Sequence, residues 1–135
     1  MRHSGSVSET KLARNKMLVG LFREVLATAS GPMNTQDICR EIARRRVDRY
    51  YLSEERGYQI YTEWISRYAL PGGSEWSMRM YVGYIAECDR LVKAGLNPRQ
   101  AAREAIYKEA CCVGLAPISI YDIINDERNK RKVKR

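Results

Sequence analysis

A chain of 135 residues has room for one domain or two very small ones, and its 44% apolar and 30% charged residues are those of an ordinary soluble protein, pointing neither to disorder nor to membrane insertion. The net charge of +8 favours polyanionic partners, and the position of that charge matters more than its size. The longest apolar stretch, Met17 to Phe22, is too short to span a bilayer, and Met1 to Ser8 has no apolar signal core, so a cytoplasmic protein is expected.

Residues 1–16 form a basic arm that leads into a first helix, where Leu18, Leu21, Phe22 and Val25 recur at helical spacing. A second helix is predicted to open at Asn34, whose side chain can accept from first-turn amides, and to bury Ile38, Ile42 and Ala43. The third follows Leu52, with Ser53 as N-cap and Glu54 and Glu55 where the helix dipole favours negative charge. Tyr58, Tyr61, Trp64, Ile65 and Tyr68 continue it towards the break at Pro71-Gly72-Gly73, so residues 64–79 read as helix end and linker. Beyond Ser74, a plausible cap, Tyr81, Tyr84, Ile85 and Cys88 line a fourth helix. Asn97 and Pro98 start a fifth, facing inward through Ala101, Ala105 and Ile106, and Pro117 sits in the first turn of a sixth.

This succession is a repeat: residues 17–63 reappear as residues 80–126 without a gap. Ten pairs are identical, including Met17/Met80, Gly20/Gly83, Asn34/Asn97, Arg40/Arg103, Leu52/Leu115 and Tyr58/Tyr121. A fixed-period self-match says which positions share a structural job. The expected fold is therefore all-α, a tandem duplication of a three-helix unit packed into one compact domain, because a lone unit of this size buries too little surface to be stable. Gly20 and Gly83, inside the first helix of each copy, imply close approach of another helix.

Charge divides unevenly along this plan. Residues 1–16 carry +3, the first copy is neutral, the linker adds +1, the second copy is −1, and residues 127–135 carry +5. The body is electrically balanced and the ends are cationic. Within the body only Arg40, Arg44, Arg45 and Arg49, at i, i+4 spacing on two ridges, make a basic patch. It suits phosphate binding, although a solvated face paired with local carboxylates is the commoner meaning of such a run. Arg46 and its repeat counterpart Glu109 fall on the expected apolar side of the second helix despite being charged: they read as snorkelling side chains, as residues beyond an earlier helix end, or as opposite charges that meet between the copies.

The spacing of Ala110, Gly114 and Ile120, with Gly114-Leu115-Ala116-Pro117-Ile118-Ser119-Ile120-Tyr121 running through it, resembles the helix-turn-helix of bacterial regulators and mobile-element proteins. In that pattern the alanine allows close helix contact, the glycine takes positive φ and the isoleucine anchors the second helix. The resemblance implies that the helix from Pro117 enters a major groove, with Ser119 and Asn125 among its base-reading residues. Asp122 and Asp126 on the outward side oppose strong DNA reading. The first copy departs from the pattern, with Tyr51 in place of the turn glycine and Gly57 in place of the isoleucine. Its stretch from Arg49 to Gly57 also resembles small uncharacterised proteins of bacterial mobile elements.

No catalytic constellation is legible: His3 is the only histidine, and no phosphate loop or metal-spaced carboxylate set is present. Cys39, Cys88, Cys111 and Cys112 contain no C-x2-C pair, so neither zinc nor another cofactor is expected, and Cys39 and Cys88 read as small buried apolar groups. The functional expectation is a non-catalytic nucleic-acid-associated or regulatory protein, with DNA ahead of RNA. It would contact phosphates through Arg40, Arg44, Arg45, Arg49 and the tail residues Arg128, Lys130, Arg131, Lys132, Lys134 and Arg135. The competing expectation is a protein-interaction module, homodimeric or with another protein partner, whose tail merely confers solubility.

Overall fold

The computed structural model describes residues 7–133 and contains six helices: α1 (Val7–Thr28), α2 (Thr35–Arg44), α3 (Glu54–Arg67), α4 (Glu75–Lys93), α5 (Pro98–Ala105) and α6 (Pro117–Val133). The starts of α2 and α5, and of α3 and α6, are separated by the repeat offset of 63, the same separation that divides Arg46 from Glu109. Their caps follow the side chains. Asn34 accepts from the Asp37 amide at 2.8 Å, Ser53 from Arg56 at 3.0 Å and Ser74 from Ser77 at 3.2 Å. Asn97 accepts from Gln100 at 2.8 Å, and Gln100 reaches back to the Asn97 amide, so two otherwise unpaired donors are satisfied reciprocally.

The packing is exchanged between the halves. Helices α1 and α2 pack together, as do α4 and α5, but α3 lies on α4 and α5 while α6 lies on α1 and α2. Each half thus lends its last helix to the other. Where the chains cross, Val47 and Ala110 form an antiparallel bridge, with N–H to O distances of 3.0 and 2.9 Å. The two residues are separated by the same offset of 63 as the helix starts. Beside the bridge Arg46 lies 3.3 Å from Glu109, so the two charges do meet, with both side chains well exposed; the helices also end earlier, at Arg44 and Ala105, which takes both residues off the apolar helix face.

One core runs through both halves, from Leu18 and Phe22 through Ile38, Ile42 and Ile60 to Tyr84, Ile106, Ile120 and Ile124. Exchange of the third helices is what makes it continuous. Tyr84 is fully buried, and its hydroxyl is satisfied by donating to the Ala102 carbonyl at 2.8 Å. Removal from water pushes the Tyr84 phenol far above its ordinary range and raises Tyr50 to about 12. Burial likewise raises the Cys39 thiol and takes Cys88 up to about 12. Both behave as apolar groups of the core, as expected.

Glycine positions correct one expectation. A side chain at Gly20 would meet nothing within 4 Å, so no helix approaches there. At Gly83 a Cβ would come within 2.9 Å of Tyr50 Oη and 3.2 Å of Cys111 Sγ, so the close neighbours are loop side chains rather than a helix. The tightest site is Gly57, where a Cβ would overlap Tyr84 Oη and lie 3.2 Å from Ile106 Cγ2. That contact lets α3 settle on the opposite half.

Candidate nucleic-acid interface

The four arginines of the body patch are largely committed within the protein. Arg40 pairs with Asp37 at 2.8 Å and Arg44 with Glu41 at 3.7 Å, both one turn away on α2. Arg45, at the C-cap, reaches Glu24 of α1 at 3.0 Å and Glu41 at 3.4 Å. Three cations therefore face three carboxylates, and the patch presents little net charge. Such exposed pairs stabilise by well under about 1 kcal/mol each and exchange readily with solvent, but they reduce the field available to a phosphate.

Arg49 is held differently. Its Nε donates to the Tyr50 carbonyl at 3.1 Å and its Nη2 to the Leu52 carbonyl at 3.2 Å, while the guanidinium lies 4.7 Å from the Tyr107 ring centre and 5.2 Å from that of Tyr51. Planar stacking and carbonyl donation fit arginine better than lysine. This residue ties the 45–53 connection to the other half. Its role was not legible because it depends on Tyr107, far away in sequence.

The segment that carried the helix-turn-helix resemblance is placed in three parts. Gly114 adopts φ +85, and Ile120 is fully buried, so the turn glycine and the anchor have the geometry that their spacing implied. Ala110 does not lie on a helix: it is the partner of Val47 in the bridge. Helix α5 ends at Ala105 and α6 begins at Pro117, so an extended connection stands where a short turn was expected, and α6 packs on α1 and α2. Backbone pairing of Ala110 with Val47 draws the chain towards the other half, which separates the two helices. On α6, Ser119 is partly buried and Asn125 exposed, with Asp122 and Asp126 also on the outward side.

The basic tail continues this helix. Ile120 and Ile124 fix α6 in the core, and the helix runs on to Val133, so Arg128, Lys130, Arg131 and Lys132 are carried on a continuous helical backbone. Arg128 Cζ stacks 5.0 Å from the centre of the Phe22 ring, and Lys130 pairs with Glu127 at 3.3 Å. Lys134 and Arg135 lie outside the described residues. By sequence, residues 127–135 contain six cationic residues and one carboxylate.

Among the described residues no helix is long and apolar enough to cross a membrane, and no group of three or more His, Cys, Asp or Glu side chains could hold a metal ion. No family model, curated protein or solved structure matches the chain.

Proposed function

We propose that the protein is a non-catalytic, nucleic-acid-associated factor that holds DNA phosphates through the basic end of α6. The observation that carries this reading is the division of charge: the α2 arginines have carboxylates within ion-pair distance, whereas the sequence of residues 127–135 holds six cationic residues and one carboxylate, Glu127, which pairs with Lys130. Anchoring of α6 by Ile120 and Ile124 presents part of that charge on an already ordered backbone, which lowers the ordering cost of binding. The contacts are to the phosphate backbone, since Asp122 and Asp126 oppose insertion of the outward face of α6 among phosphates.

The test is titration of a fluorescein-labelled duplex at low salt with intact protein and with a chain ending at Lys130. The reading expects binding by the first and strong loss in the second. Equal binding by both, or none by either, contradicts it.

One observation favours the alternative, a protein-interaction module. Tyr68, at the C-cap of α3, has φ 52 and is 77% exposed, an uncommon backbone for a tyrosine, and Trp64 packs edge-on against it at 5.3 Å. Ile65, one turn before Tyr68 on α3, is also exposed, so the end of this helix has the character of a contact surface.

A further inference from the structure

The two halves differ where α6 meets α1. Val19, Phe22, Leu26 and Ile124 line a cleft of about 240 Å³, and Leu26 on its wall is 51% exposed. That volume is below the usual range for a small-molecule site, roughly 300–1,000 Å³, and suits a single inserted side chain. The other half indicates which kind. At the offset of 63, Ile124 corresponds to Tyr61, Glu127 to Trp64 and Leu26 to Asp89. Tyr61 is 2% exposed, its hydroxyl donates to Asp89 at 2.7 Å, and Trp64 packs against the core. Aromatic rings therefore occupy the positions that, between α6 and α1, are held by an isoleucine and a glutamate beside an open cleft.

The lining specifies charge. Arg23 and Arg128 are part of it, Arg128 with its guanidinium 5.0 Å from the Phe22 ring centre, and Glu127, the acidic residue of the lining, is engaged by Lys130. We infer that the α1–α6 cleft is a docking site for an acidic protein segment that inserts one aromatic side chain where the other half uses its own rings. The inserted ring buries against Phe22, Leu26 and Ile124, and carboxylates on either side of it meet Arg23 and Arg128. A homodimer or a bare ionic association with the tail is a different outcome of the same test.

The probe is a fluorescein-labelled helical peptide with one tryptophan and glutamates at i−4 and i+4 from it, followed by anisotropy at near-physiological salt. Replacing its tryptophan by alanine, with charge unchanged, should weaken binding at least about tenfold, the effect expected of a buried aromatic anchor. Leu26→Asp, at a half-exposed position, copies Asp89 of the other half and should cause a similar loss while circular dichroism and the melting temperature report an intact fold. Glu127→Trp discriminates best: it makes the protein more cationic, so simple charge attraction predicts tighter binding, whereas filling the cleft predicts loss. Absence of binding by the intact protein, equal affinity for the alanine peptide, or tighter binding by Glu127→Trp each overturns the inference.

Discussion

Replacing Gly57 by alanine tests the exchanged packing directly. A Cβ on Gly57 would overlap Tyr84 Oη and lie 3.1 Å from Tyr84 Cζ and 3.2 Å from Ile106 Cγ2, so residues of the opposite half would have to move. Tyr84 is fully buried, and its hydroxyl is bonded to the Ala102 carbonyl. Overpacking of this kind costs about 1–3 kcal/mol, and losing a buried hydrogen bond adds about 1–3 kcal/mol. Alanine returns about 1 kcal/mol of helix propensity. The expected net effect is a destabilisation of about 1–5 kcal/mol. Gly20→Ala is the control, because its new methyl group meets open space in the middle of α1; it should stabilise by about 0.5–1 kcal/mol. Urea denaturation of both variants reads the difference, and Tyr84→Phe in the Gly57→Ala background should recover part of the loss by removing the overlapping oxygen. If Gly57→Ala stabilised the protein as Gly20→Ala does, α3 would not lie on the other half as described.

Arg46 and Glu109 are 76% and 64% exposed, so a double-mutant cycle should give a coupling below about 1 kcal/mol that shrinks further in high salt. A larger, salt-insensitive coupling would mean that the bridge region is shielded from solvent. The buried Cys88 thiol, raised from 9.0 to about 12, favours the protonated form in the folded state. Its contribution to stability is therefore complete below about pH 9 and declines as pH rises from there through about 12. Chemical denaturation across that window should show less decline for Cys88→Ala, after allowance for its cavity, than for the unaltered protein, and parallel profiles would argue against the shift.

Much of the architecture was legible because it depends on local chemistry repeated at a fixed interval. Asn34, Asn97, Ser53 and Ser74 announced helix starts through their capping oxygens, and Leu18, Ile42, Tyr84 and Ala105 marked inward faces by their spacing. Exchange of α3 and α6 between the halves was not legible, since it depends on the route of residues 45–53 and 106–116. That route is set by the Val47–Ala110 bridge, the Tyr50–Ile106 backbone bond and the stacked Arg49. For the same reason Ala110 matched a helical pattern while lying in an extended bridge. At the candidate interface, the basic run was visible in composition, but Glu24, which neutralises Arg45 from α1, came close only through tertiary packing.

The salt dependence of duplex binding tests the central claim most directly. With about five phosphate contacts from the end of α6, log K should fall against log salt with a slope of roughly −4.5, a loss of several hundredfold between about 50 and 200 mM. Removing Arg131 to Arg135 takes away four cations and should flatten the slope by roughly 3.6. Converting Arg40 and Arg44 to alanine, whose partners are Asp37 and Glu41, should change it by less than about 1. A slope that survives truncation but collapses with the two α2 arginines would contradict the account and place the phosphate contacts on α2.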